Sequence, residues 1–149
     1  MIQIKNLGTG AVIFEGDYPS IKDAVEAAVK AGVSLAFADL RRANLTGANL
    51  TRANLTNADL TGANLTRADL TRADLTGADL TRADLTNAIL YEAILARAIL
   101  IRANLTGANL KRANLAGANL TDANLTGANL TGANLTDAIV TGTILDKKD

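Results

Sequence analysis

The chain has no cysteine, no histidine and no tryptophan, and one proline among its 149 residues. Without cysteine there is no disulfide and no thiolate nucleophile. Without histidine the usual imidazole base and the commonest metal ligand are missing. Ser20 and Ser34 are the only serines, and no base stands beside a nucleophile in a spacing that would make a triad. The sequence therefore points away from an enzyme, and no cofactor is expected. Charge of one sign is also missing: Lys plus Arg and Asp plus Glu both number 15. A net charge of zero gives no long-range field to steer nucleic acid or an anionic membrane. No stretch approaches the roughly 20 apolar residues that span a bilayer. The opening Met1-Ile2-Gln3-Ile4-Lys5 lacks the basic region and apolar core of a signal peptide. The missing cysteine fits a reducing compartment, so the expected location is the cytoplasm, with no membrane.

What is present falls into two unequal parts. Residues 1–33 have mixed composition. Apolar and polar residues alternate from Ile2 to Lys5 and over part of Ala11 to Glu15, with Leu7-Gly8-Thr9-Gly10 as a turn between them, which predicts a β-hairpin. Asp17-Tyr18-Pro19 breaks the second strand. Ser20 is placed as a helix N-cap with Asp23 three residues on. Ile21, Ala24, Val25, Ala28 and Val29 fall on one helical face, and Gly32 is placed to end the helix.

From residue 35 to 145 leucine recurs at every fifth position, with Val140 the one exception. Alanine stands two before each from 38 to 138, and Val33 and Thr143 take that place at the ends. The unit is Ala-(Asn/Asp)-Leu-Thr-X, repeated twenty-three times. On an α-helix a step of five residues turns about 500°, which scatters the leucines around the axis. On a flat strand an odd period throws successive leucines onto opposite faces. A coil that bends once per unit buries them all. Ala and Leu point inward along a short extended segment, Asn or Asp points outward between them, and Thr-X takes the corner, where Gly and Asn suit a turn. Coils then stack at about 4.8 Å. The number of sides per coil does not follow from the period alone.

The twenty-three consecutive matches to Ala-(Asn/Asp)-Leu-Thr-X resemble the pentapeptide-repeat family, over residues 33–145. The resemblance implies an all-β solenoid, a right-handed quadrilateral β-helix with four units per coil. The rod would be on the order of 28 Å long at sheet spacing. Residues 1–33 then form a hairpin-and-helix cap, 34–145 the β-helix and 146–149 a charged tail. A cap is physically required, because the first coil would otherwise expose its apolar section and an unpaired edge. A core stacked from Leu and Ala leaves no room for a substrate, so function falls to the sides and ends. The uniformity of the repeat reads as a consensus or designed scaffold bearing a natural-looking cap. The alternative is a natural bacterial binding module, such as the gyrase-protecting members of this family that resemble DNA in shape and charge.

Four outward features follow from stacking residues twenty apart. Asp39, Asp59 and Asp79 share a column, and Asp69, Asp74, Asp79 and Asp84 make nearly a full turn. Arg67, Arg72 and Arg82, two residues from Asp69, Asp74 and Asp84, are expected to offset them in surface ion pairs, which argues against DNA mimicry. Arg52, Arg72 and Arg112 share a second column, interrupted by Glu92. Acids are interleaved and Tyr91 is the one outward aromatic in the repeats, so nucleic acid is an unlikely partner. Ile89, Ile94 and Ile99 replace Asn/Asp in three consecutive units, with Tyr91, Ala96 and Ile101 beside them in place of Thr. This belt is a candidate interface. The last candidate is the C-terminal coil, with Leu135, Ile139, Val140, Ile144 and Leu145, through which the chain is expected to form an end-to-end homodimer. No metal site is expected, since a carboxylate column on an open face makes no cage.

Overall fold

The structure, a computed structural model, describes residues 1–146. The tail expected at 146–149 lies outside it except for Asp146. Strand β1 (Ile2–Lys5) pairs antiparallel with β2 (Val12–Gly16), with a bulge between Ile4 and Lys5. The Asn6 side chain holds the turn by accepting from the Gly8 and Thr9 N–H groups, both at 3.0 Å, and Gly10 takes the left-handed φ of 70° that closes it. Helix α1 spans Ile21–Lys30. At its start Ser20 Oγ accepts from the Asp23 N–H at 3.2 Å, and its hydroxyl donates to the Asp23 carboxylate. At its end Gly32 N–H reaches Val29 O and Val33 N–H reaches Ala28 O, the paired bonds of a Schellman stop. Ala24, Val25 and Ala28 are buried together with Ile4 in the same core as the leucines.

Beyond the cap the chain winds into coils of twenty residues. Parallel bridges join positions twenty apart, from Asp39 with Asp59 to Asn119 with Ile139, so each coil holds four units. Within a unit four N–H groups make backbone ladder or turn bonds that repeat along the rod. Leu45 donates forward to Asn64 O at 2.7 Å, Gly47 donates forward to Thr66 O at 2.8 Å, and Ala48 closes the corner onto Leu45 O at 3.0 Å. The outward residue donates backward, as Asn64 does to Ala43 O. Every corner residue from Phe37 to Gly142 has a left-handed φ, between 55° and 75°, and Phe37, 49% exposed at the first corner, is an outward aromatic in the repeats beside Tyr91, contrary to expectation. A left-handed second corner residue under an i-to-i+3 bond is the geometry of a type II turn. Arginine occupies more of these corners than any other non-glycine residue, although each such residue costs about 1–2 kcal/mol there. The inward Leu and Ala from Leu35 to Leu125 are all buried, each Leu worth roughly 1.5–3 kcal/mol before entropy is subtracted.

The cap does more than cover the first coil. Its β1 edge continues into the rod: Asp39 N–H donates to Lys5 O and Leu7 N–H to Phe37 O, both at 2.8 Å. On another side the Glu26 carboxylate accepts the Asn49 N–H at 2.7 Å. A backbone carbonyl and a helix side chain thus stand in for the coil that would otherwise precede the first.

Candidate functional site

The core is filled, so the residues available to partners are the outward ones, and their chemistry begins with the backbone. In every unit carrying Asn or Asp, its Oδ1 accepts the N–H two residues on, at 2.9–3.4 Å. In many units the Thr hydroxyl donates to the same oxygen, as Thr86 does to Asp84 at 2.6 Å. This is the local bond that Asn and Asp make to enter turns. The side chain points outward as expected, and its Oδ1 turns back to satisfy the corner.

The Ile units cannot do this. Ile89, Ile94 and Ile99 are 39%, 39% and 36% exposed, and they stack directly on Asp69, Asp74 and Asp79 of the coil before. Among the described residues the N–H groups of Tyr91, Ala96 and Ile101 have no backbone acceptor. The belt therefore differs from the Asn and Asp units twice over, in apolar exposure and in unsatisfied donors. It shares both features with Ile139 of the last coil, which is followed by Thr141, whose N–H has no acceptor among the described residues. Its three isoleucines lie on three successive sides, so no single flat partner covers all of them. Tyr91, Ala96 and Ile101 beside them are half-buried.

The acidic turn differs from expectation. Asp69, Asp74, Asp79 and Asp84 make no ion pair among the described residues, whereas Asp39, Asp59, Glu92 and Asp122 do. Arg67, Arg72 and Arg82 do not neutralise their near neighbours in sequence. The reason is geometric. Asp sits mid-side with an oxygen committed to the following corner, and the Arg two residues away sits at a left-handed corner. Arg72 instead reaches along the column to Glu92 at 2.7 Å, and Arg112 approaches the same carboxylate from the other side at 3.4 Å. Arg112 also donates to the Tyr91 hydroxyl at 3.2 Å. Arg72 first, with Tyr91 and Arg112 after it, holds the Glu92 carboxyl below its ordinary range. Asp39 is lowered likewise, chiefly by its two-pronged bond from Arg41 at 2.6 and 2.8 Å.

At the far end Leu130, Leu135, Val140 and Leu145 are only partly buried, and Ile139 and Ile144 are 48% and 66% exposed. Asp146 accepts the Gly142 N–H at 2.8 Å. The edge of this last coil carries two forward-pointing N–H groups, from the Leu and the corner residue, for each Ala carbonyl. Among the described residues no group of His, Cys, Asp and Glu could hold a metal ion, and no helix is long and apolar enough to cross a membrane.

The twenty-residue coil built from Ala-(Asn/Asp)-Leu units has counterparts. The family description "Pentapeptide repeats" matches in eight copies, over residues 31–67, 68–107, 78–115 and 108–146. The chain belongs to the pentapeptide-repeat family. Such proteins form right-handed β-helix solenoids. Among solved pentapeptide-repeat structures, Rfr23 from the cyanobacterium Cyanothece 51142 is 53% identical over 57% of this chain, with a TM-score of 0.57. A pentapeptide-repeat protein of the Arabidopsis thaliana thylakoid lumen is 35% identical over 57%, with a TM-score of 0.55. The match spans 58% and 59% of those two chains. QnrB1, a plasmid-mediated fluoroquinolone resistance protein, shares the fold at 22% identity and a TM-score of 0.52. No curated protein matches the chain.

Two features of this pentapeptide-repeat rod were missed from sequence: the free N–H groups of the Ile units, and the capping role of Glu26. The first was within reach, because Asn-Leu-Thr is a turn-capping arrangement and Ile-Leu-Tyr is not. The second depends on how the helix sits on the rod and has no local signal.

Proposed function

We propose that this protein is a non-catalytic scaffold, a quadrilateral rod of its family's hand, that binds a macromolecular partner through the outward side chains of residues 86–105. The observation that supports this most is the exposure of Ile89, Ile94 and Ile99, in three consecutive units, at a position that carries Asn or Asp in seventeen of the twenty-three units. A filled core leaves sides and ends as the only working surfaces. The regular repeat, read above as consensus design, is equally compatible with a natural origin, since cyanobacterial Rfr23 is 53% identical. The cytoplasm remains the proposed compartment. The test is proximity labelling with the wild-type chain and with an Ile89→Asn, Ile94→Asn, Ile99→Asn variant that retains its melting transition. Partners captured by the wild type and lost by the variant are expected; identical sets overturn the reading.

Gyrase protection is the second reading, favoured by the carboxylates of Asp69, Asp74, Asp79 and Asp84, which make no ion pair among the described residues, and opposed by the zero net charge. Inhibition of gyrase supercoiling at micromolar protein is its test, and no effect removes it. An end-to-end homodimer through Leu135, Ile139, Val140, Ile144 and Leu145 is also proposed. With two donors per acceptor on that edge, a two-fold contact cannot close its ladders and would rest on apolar burial. A monomer mass in sedimentation at micromolar concentration overturns it.

A further inference from the structure

One corner of the Ile-bearing coil combines features found together nowhere else on the rod. Ala96 presents an unsatisfied N–H. Ile94 and Ile99 are exposed on the two sides that meet there. Arg97, the next residue, is exposed and has no carboxylate partner among the described residues. Three other corners have free N–H groups among the described residues and none has a free cation: Thr141 is followed by Gly142. Tyr91 is followed by the acid Glu92, and Ile101 by Arg102, which approaches Asp122 at 3.7 Å.

The surroundings give the corner a direction. In the column of Arg97 the neighbouring coils carry Gly77 and Gly117. The space above Gly77 is taken by Asn57 Oδ1, which would lie 2.4 Å from an added Cβ. The stem of Arg97 leans the other way, its Cγ 3.6 Å from where a Cβ on Gly117 would stand. On the Gly77 side lie Asp74 and Asp79, which would repel an anion. On the Gly117 side lie Asn114, Ala116 and Asn119, small or uncharged.

We propose that this corner docks an acidic segment of a partner protein, in which an Asp or Glu carboxylate is flanked by aliphatic side chains. The carboxylate accepts from the Ala96 N–H and the Arg97 guanidinium. The aliphatic residues pack on Ile94 and Ile99, and the rest of the segment runs over Asn114 to Asn119. The inference rests on the reading of the rod as a binding module and names the chemistry of its partner.

The probe is the capped peptide acetyl-Ala-Leu-Glu-Leu-Ala-amide, titrated into the 15N-labelled full chain and followed by amide NMR. Saturable shifts centred on residues 94–99 are expected, with the Ala96 proton moving downfield and the effect weakening as salt rises. The matched peptide with Gln in place of Glu, and Arg97→Gln in the protein, should each weaken binding about tenfold. Arg52→Gln, at a corner without a free N–H, should leave it unchanged. Ile94→Asn, which supplies the missing internal acceptor, should abolish the Ala96 shift in a chain that still melts like wild type. Equal binding of the Glu and Gln peptides, an Ile94→Asn protein that responds as before, or shifts confined to other arginines would overturn the proposal. If these fail while proximity labelling still depends on the isoleucines, the belt binds a partner of other chemistry; if labelling fails and the peptide binds, the corner stands without the wider belt.

Discussion

Residues 66–85 and 86–105 form consecutive coils with the same inward residues and opposite outward ones. Both bury four leucines and four alanines completely or nearly so. The first presents Asp69, Asp74, Asp79 and Asp84; the second presents Ile89, Ile94, Ile99 and Asn104. The backbone ladder runs through both, with Leu75 N–H reaching Ile94 O and Leu95 N–H reaching Asn114 O at 2.7 Å. The fold is thus indifferent to what faces out, and the outward position is open to functional choice. The choice is not free of local consequence. An Asp or Asn caps its own corner, and an Ile leaves that corner's N–H open.

The strongest way to break the equivalence of the two cores is to cut each. Leu75→Ala and Leu95→Ala should each lower stability by about 2–5 kcal/mol, and by the same amount within error, in urea melts. A clearly smaller loss at Leu95 would mean that the Ile coil is already loosened and that the indifference is false.

Corner residues offer the next comparison. Gly77→Ala and Gly47→Ala both place a side chain at a left-handed φ, at 66° and 64°, for a cost of about 1 kcal/mol. An added Cβ at Gly47 meets nothing within 4 Å, whereas at Gly77 it meets Asn57 Oδ1. Gly77→Ala should therefore be the more destabilising by thermal melting, and Asn57→Ala should erase the difference. The same contact relates Asn87 to Gly107 and Asp122 to Gly142, so a corner Asn or Asp followed twenty residues later by Gly is a packing pair.

The contrast in corner capping predicts a smaller effect. Asp74→Ala removes the acceptor of the Thr76 N–H, which lies 2.9 Å away. It should cost about 0.5–1.5 kcal/mol, with Asp74→Asn near neutral. Amide hydrogen exchange gives the sharper readout: Tyr91, Ala96 and Ile101 should exchange at least about tenfold faster than Thr71, Thr76 and Thr81. Equal protection would show that Ile shields the corner as well as a carboxylate does.

Much of this architecture is legible in the sequence because the five-residue period excludes a helix and a flat strand and leaves a coil that bends once per unit, while the four units per coil were legible only through the family resemblance. Ser20 and Gly32 mark the ends of the helix by local chemistry, and both act as read. The site was only half legible. That Ile89, Ile94 and Ile99 face outward follows from their place in the unit. That Arg97 has no carboxylate partner among the described residues while Arg72 has one depends on contacts between coils. An arginine at a left-handed corner reaches along its column, to a residue twenty positions away, rather than to the acid beside it in sequence. Expecting Arg67, Arg72 and Arg82 to neutralise Asp69, Asp74 and Asp84 failed for that reason.

Glu92 ties the two coils together and gives the smallest effect. Arg72 in the acidic coil and Arg112 in the coil beyond both reach its carboxylate, which is 26% exposed, and Arg72 above all holds its pKa below that of an ordinary glutamate. A carboxyl whose folded pKa is depressed binds fewer protons in the folded than in the unfolded chain over the interval between the two values. Its contribution is therefore fully present above the unfolded pKa and is lost as pH falls through the folded one. NMR titration of the Glu92 carboxyl should place its midpoint below that of an ordinary glutamate. Wild type should lose more stability than Glu92→Gln as pH drops below about 4.5, and the difference should shrink in high salt, because partly exposed pairs are screened. Parallel pH profiles for the two proteins would mean that the Arg72–Glu92–Arg112 column contributes nothing to joining the coils, and that the backbone ladder and the leucine core hold them together alone.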